Sequence, residues 1–350
     1  MRLLITGGAG FIGSNLARLA HGLGHDILVV DKLTYAGNRA SLSDLEGKRG
    51  YRFVKTDICD AEAIRQAVSS YKPDAIMHLA AESHVDRSID SPGEFIATNV
   101  TGTFHLLQAA LAYWRTLTGE TKDKFRFLHV STDEVFGSLG LKDTAFSEES
   151  PYNPHSPYSA SKASSDHLVR AWMDTYELPV IITNCSNNYG PYQFPEKLIP
   201  LVTLKALRGE SIPVYGKGEN IRDWLYVDDH ARALLAAVTK GRPGRTYCIG
   251  ADNERRNIDL VKILCSFLDT LRPRADGKLH ESAIKYVADR PGHDMRYAIN
   301  ATRAQLELDW KPEENFDSGL SKTIKWYLDN ANWTQSILDG SYRLERLGRS

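Results

Sequence analysis

Tyr158 and Lys162 stand four residues apart in the run Tyr-Ser-Ala-Ser-Lys. On a helix that spacing puts a phenol and an ammonium on one face. A cation beside a phenol stabilises the phenolate and lowers its pKa from an ordinary value of about 10. Such a tyrosine can take the proton of an alcohol while hydride leaves the same carbon. Upstream lies Ser131-Thr132-Asp133-Glu134-Val135-Phe136-Gly137. Thr132 offers a hydroxyl to the reacting oxygen. Asp133 and Glu134 are adjacent carboxyls, and neighbouring carboxyls near an apolar pocket titrate apart, leaving one acid and one base. Elimination of water needs that division: one group removes a proton alpha to a ketone, and the other protonates the departing hydroxyl.

These groups need a hydride acceptor and a scaffold. Gly7-Gly8-Ala9-Gly10-Phe11-Ile12-Gly13 follows the apolar run Arg2–Thr6 and opens a helical stretch, Phe11–Leu23. Glycines allow a tight turn, close approach of a pyrophosphate and close helix–strand packing, with the helix N-terminus facing the phosphates. The next strand, Ile27–Val30, ends in Asp31, a carboxylate suited to ribose hydroxyls and repulsive to a 2′-phosphate, which favours NAD over NADP. Lys32 beside it weakens that preference, and Asp57-Ile58 after the third strand suits an adenine contact. Further strands are expected at Tyr51–Val54, Ala75–Leu79, Phe125–Val130, Val180–Thr183 and Thr246–Ile249, the last returning to the first sheet. Helices are expected at Ala61–Tyr71, Asn99–Leu117, Tyr158–Tyr176 and Val227–Val238. The alternation predicts an α/β, Rossmann-type doubly wound parallel sheet, with a smaller C-terminal α/β substrate-binding lobe. The two units interleave: residues 1–187 and 222–256 for the dinucleotide, 188–221 and 257–350 for the substrate.

The 350 residues are 42% hydrophobic and 25% charged, with a formal net charge of −1. That balance argues against a nucleic-acid or membrane surface, and anionic ligands must be held by placed cations. No apolar run approaches the roughly 20 residues of a membrane span, and the N-terminus does not read as a signal peptide. Cys59, Cys185, Cys248 and Cys265 are scattered, so a reduced, cytoplasmic protein without a metal is expected.

The segments Thr6–Ser14, Asp31–Asn38, Leu79–Ser88, Ser131–Gly137, Ser156–Arg170, Asn187–Leu198, Asn220–Asp228 and Asp289–Asp294 resemble the extended short-chain dehydrogenase/reductases, and within them the nucleotide-sugar 4,6-dehydratases. The Thr-Asp-Glu triplet is the specific part, since epimerases of the family carry small hydroxyl residues there. Phe136 departs from a tyrosine common in relatives, at the cost of a hydroxyl next to the carboxylates.

The resemblance implies dTDP-glucose as substrate, a 4-keto-6-deoxy sugar as product, and a place in dTDP-rhamnose or other deoxysugar synthesis. It implies NAD that is regenerated each turn and tightly held by Gly7, Gly10, Phe11, Ile12 and Gly13, by Asp31, Lys32, Leu33 and Thr34, and by Asp57 and Ile58. Leu79, Ala80, Ala81, Ser83, Thr98 and Asn188 would complete that side with Tyr158 and Lys162. On the sugar-nucleotide side it implies Ser83, Thr132, Asn187, Glu196, Lys197 and Leu198, then Pro213, Val214 and Tyr215 at the base. Arg222 and Arg290 would hold phosphate, with Asn257, Asp289 and His293 nearby. In this family the helices Asn99–Leu117 and Tyr158–Tyr176 form a four-helix dimer interface, so a homodimer is expected. A UDP- or GDP-hexose dehydratase and a 4-epimerase stay open at this point, as does a non-catalytic NAD-sensing protein on the same fold.

Overall fold

Short apolar runs between helices must be buried on both faces, and the fold does this with one large parallel sheet. The computed structural model describes residues 1–289 and 293–340. Its strands are β1 Arg2–Thr6, β2 Asp26–Asp31, β3 Tyr51–Lys55, β4 Ala75–His78, β5 Arg126–Thr132 and β6 Val180–Cys185. After these come β7 Asn187–Tyr189, β8 Ile212–Tyr215, β9 Ile221–Tyr226, β10 Thr246–Ile249, β11 Glu254–Arg256 and β12 Ile284–Val287. Seven strands pair in the order β10-β6-β5-β4-β1-β2-β3. As expected, Thr246–Ile249 returns to this sheet, parallel to Ile182–Cys185.

Alternation along the strands divides the core. Leu3, Ile5 and Val29 face one cluster with Leu16 and Ala17 of α1 (Phe11–Gly22), whereas Leu4, Leu28 and Ile76 face a second with Ile64 and Val68 of α2 (Ala61–Tyr71). The second cluster also takes Leu106 and Leu107 of α3 (Thr103–Trp114) and Val169 of α4 (Pro157–Tyr176). Each fully buried side chain of this kind contributes roughly 1.5–3 kcal/mol. The helix expected over Asn99–Leu117 differs: a π-helical turn, Ile96–Gly102, precedes α3, which ends at Trp114. Asn99 explains the turn. Its side chain accepts from Glu82 N at 2.9 Å and donates to Glu82 O at 2.9 Å and Ser161 Oγ at 2.9 Å, which pulls the helix toward the sheet edge.

Beyond β6 the chain builds a second core. β11-β9-β7 form a three-stranded sheet and β12-β8 a parallel pair. α5 (Leu198–Leu207), α6 (Val227–Lys240), α7 (Asn257–Leu271) and α8 (Phe316–Asp329) follow. Leu260, Val261 and Leu264 of α7 pack with Ile199 and Val202 of α5 and with Leu320 and Ile324 of α8, while α6 returns to cover the large sheet through Leu234 and Val238. The carboxyl ends of β1, β4 and β5 open toward this second core, at the point where strand order reverses beside β1. Ligands of doubly wound sheets bind there.

Candidate active site

The glycine turn is built for close approach. Gly7 has φ of +70°, and a Cβ there would lie 2.6 Å from Ala80 N. A Cβ on Gly13 would lie 2.2 Å from Gly7 O. Gly10 caps α1 with no side-chain hydrogen bond, so the first N–H groups of the helix are offered to an anion. Asp31 accepts from Ala9 N at 2.9 Å and Leu33 N at 2.8 Å, which fixes its carboxylate over the turn. Lys32 is drawn away: its ammonium lies 3.6 Å from Asp57 and 3.9 Å from Glu82 and donates to Thr98 Oγ1 at 3.3 Å. It is therefore neutralised rather than aimed at a 2′-phosphate, and the residues fit a dinucleotide with a free 2′-hydroxyl. Gly13→Ala is expected to reduce the dinucleotide carried by the purified protein more than about tenfold, because the turn must open; its absorbance spectrum reads this directly.

One cavity gathers the turn, Asp31, Lys32, Thr34, Asp57, Ile58, Leu79, Ala80, Ala81, Ser83, Thr98 and Asn188 with Thr132, Asp133, Glu134, Tyr158 and Lys162. Leu33 is not part of it. Its φ of +57° turns the side chain onto the core cluster under the sheet. Thr132 ends β5 and accepts from Glu134 N at 3.2 Å, starting a 3-10 turn over Asp133–Phe136. Its hydroxyl also meets Asp133 Oδ1 at 3.3 Å.

Asp133 is 2% exposed, and its Oδ2 has no hydrogen-bond partner. Burial, and then the Glu134 carboxylate, push its pKa well above the ordinary carboxyl value, which favours its protonated, acid form. Glu134 beside it is half-buried. Two carboxyls in sequence thus sit in different surroundings.

The expected lowering of the Tyr158 pKa by Lys162 is corrected. The phenol is buried, and burial, with the Glu134 carboxylate second, raises its pKa well above the usual value, while a hydrogen bond with the Thr132 side chain opposes the shift. The Lys162 ammonium donates to Val130 O at 2.9 Å. These surroundings favour the protonated phenol.

A second cavity carries Leu198, Pro213, Val214, Tyr215, Arg222, Asn257 and His293. It meets the first at Glu134, Asn187, Asn188, Gln193, Glu196 and Lys197, all of which line both. Arg222 is 5% exposed and held by the carbonyls of Ile221 at 2.7 Å, Asp294 at 2.9 Å and Met295 at 3.4 Å, its guanidinium 4.3 Å above the Tyr297 ring. Asp289 does not line the cavity. It lies 2.6 Å from His293 Nδ1 and so orients a residue that does. Arg290 lies outside the described residues.

The family model for GDP-mannose 4,6 dehydratase matches residues 4–323. A dTDP-glucose 4,6-dehydratase of Neisseria meningitidis serogroup B is 58% identical over 350 residues, covering 99% of either chain. The chain belongs to the dTDP-glucose 4,6-dehydratase family. Family members from Streptomyces venezuelae, solved with NAD bound, and from Bacillus anthracis, solved in complex with NAD, superpose on it. The first has a TM-score of 0.87 and 44% identity, covering 96% of this chain and 100% of that one. The second has a TM-score of 0.85 and 42% identity, covering 96% and 99%.

For a dehydratase of this family Phe136 loses nothing at the site. Its ring stacks on Phe146 at 5.1 Å and meets Tyr152 edge-on at 5.3 Å, inside an apolar cluster rather than next to the carboxylates. Sequence reasoning missed Glu82, Gln193 and Trp224, which line the cavities. No spacing rule marks them, because a buried polar contact is set by the tertiary fold.

Glu196, at the junction, has its pKa pushed up to about 7, chiefly by burial. It is neutral below that pH and charged above it. A diphosphate is therefore expected to bind more weakly as pH rises from about 6 to 8, with KM increasing about threefold or more. In Glu196→Gln that dependence should disappear from the KM profile.

Proposed function

We propose that this chain converts dTDP-glucose to dTDP-4-keto-6-deoxyglucose and water. The observation that carries the reading is the pair Asp133 and Glu134, one buried with its pKa pushed well up, the other half-buried, both opening onto the cavity of Tyr158 and Thr132. NAD, when bound, supplies the acceptor of C4 hydride, its donor to C6, and a positive ring near the phenol. Tyr158 takes the C4 hydroxyl proton while Thr132 bonds the same oxygen. Lys162 holds the nicotinamide ribose. Glu134 removes the C5 proton, which the C4 ketone has made acidic. Asp133 gives its proton to the C6 hydroxyl as it leaves as water. Glu134 then returns a proton to C5. Each turnover leaves Tyr158 one proton richer and Asp133 one poorer, so the site resets by moving one proton between them.

Arg222, Lys197 and His293 suit the diphosphate, Pro213–Tyr215 the base, and residues 1–187 with 222–256 the NAD-binding unit. No helix among the described residues is long and apolar enough to cross a membrane, and we place the enzyme in the cytoplasm. The exposed Phe104 of α3 and Tyr176 of α4 suit a homodimer through a four-helix bundle; sedimentation of Phe104→Glu as a monomer would support it. Incubation of the purified protein with dTDP-glucose tests the activity: the product should lose the mass of one water. Recovery of dTDP-galactose at unchanged mass would make it a 4-epimerase and leave Asp133 and Glu134 without a role. Turnover of UDP- or GDP-hexose alone would move the base specificity.

A further inference from the structure

The face of α4 that carries Tyr158 and Lys162 continues at the same spacing to Asp166 and Arg170. Asp166 is fully buried. Its Oδ2 accepts from Ser131 Oγ at 2.8 Å, the Tyr152 hydroxyl at 2.8 Å and Asn184 Nδ2 at 3.5 Å, and its Oδ1 lies 3.1 Å from His129 Nε2. Asn184 also donates to Thr132 O at 3.0 Å. One carboxylate thus ties down, from beneath the site, the strand end that presents Thr132, Asp133 and Glu134. Burial alone would protonate it. The contact with His129, the charge of Lys162 and the Tyr152 hydroxyl outweigh burial and hold its pKa below the usual value.

Lys162 is 4% exposed, and burial lowers its pKa. Two groups oppose that shift as anions, Asp166 first and Cys185 second. The Cys185 thiol is pushed up to about 12, mainly by burial, so it carries no charge at neutral pH. Asp166 is left as the standing negative charge that favours the ammonium.

We propose that Asp166 is a positioning residue for the dehydratase reaction: a buried counter-ion, one turn along α4, that keeps Lys162 charged and clamps the strand end bearing the acid and the base. It acts through Lys162, Ser131 and Asn184 and does not line the cavity. The titratable and charged groups facing it are His129 of β5, Tyr152 of the preceding loop, and Lys162 and Arg170 of α4. His129 is pushed down to about 4 by burial and stays neutral. Tyr152 is raised by burial and stays protonated. Lys162 is therefore the member of this group that titrates on the alkaline side.

The inference rests on the proposed reaction, so the full-length wild-type enzyme carrying NAD is assayed first with dTDP-glucose. A wild type that forms no product strikes the reaction and not the role of Asp166. Asp166→Asn keeps the shape and removes the charge. Its kcat is expected to fall about a hundredfold with KM within about twofold, and the alkaline limb of its pH profile should move to lower pH by about one unit, as Lys162 loses its proton earlier. An Asp166→Asn enzyme with the wild-type kcat and alkaline limb overturns the proposal. Should that variant not fold, Tyr152→Phe decides. Loss of its hydrogen bond raises the Asp166 pKa, so the acid limb should move to higher pH, and an unmoved acid limb overturns the proposal as well.

Discussion

Asp133→Asn is expected to lower kcat by about 10²–10⁴-fold while leaving C4 oxidation intact, because a positioned proton donor contributes about that much. Asparagine has the same shape, and Tyr158, Thr132 and Lys162 are untouched. The buried amide cannot protonate a leaving hydroxyl. The variant should therefore hold a 4-keto sugar that retains its C6 oxygen and still exchanges its C5 proton with solvent deuterium through Glu134. Mass spectrometry of the quenched mixture separates that species from product. Normal turnover by the variant would remove Asp133 as the acid. The sign of the pH dependence follows from the same burial. The Asp133 pKa is raised, so its acid form persists to higher pH than that of an ordinary carboxyl.

Tyr158→Phe is expected to cost about 10³-fold or more in kcat with KM changed about twofold at most, since in the proposed reaction the phenol would act on the C4 proton and the second cavity would hold most of the sugar nucleotide. This variant should show no C5 exchange, because C5–H becomes acidic only after C4 is a ketone. Asp133→Asn and Tyr158→Phe thus stop the reaction on opposite sides of the oxidation. Deuterium at C5 in the first and none in the second is the ordered result. Exchange in both would mean that Glu134 removes the proton without a ketone, and the sequence of steps would have to be redrawn.

Much of this arrangement is legible in the chain. Arg2–Thr6, Ala75–His78 and Thr246–Ile249 are short, apolar and separated by helices, and only a covered parallel sheet accommodates them. The glycine turn reads because steric closeness admits no other residue: a Cβ on Gly13 would sit 2.2 Å from a carbonyl oxygen. What stayed hidden is what depends on distant neighbours. Leu33 stands two residues after Asp31, which the glycine turn's backbone holds, yet a left-handed backbone turns Leu33 into the core. Phe136 stands two residues after Glu134, yet a 3-10 turn sends its ring to Phe146. The Tyr158–Lys162 spacing shows that the two share a helix face. It does not show that the ammonium is satisfied by Val130 O or that the phenol's burial exceeds any help from it. Asp166 continues the same stripe, but its importance lies in Ser131, Asn184 and His129, which reach it from other strands.

Hydride taken from C4 is expected to return to C6 of the same sugar through one bound NAD, while Asp133 and Glu134 remove water between the two transfers. The most direct test is dTDP-glucose carrying deuterium at C4, incubated with the purified protein, with the product read by NMR and mass spectrometry. The expected product is a 4-keto-6-deoxy sugar with the deuterium in its C6 methyl group. A dehydrated product without that label, or an epimerised sugar that keeps deuterium at C4, would contradict it.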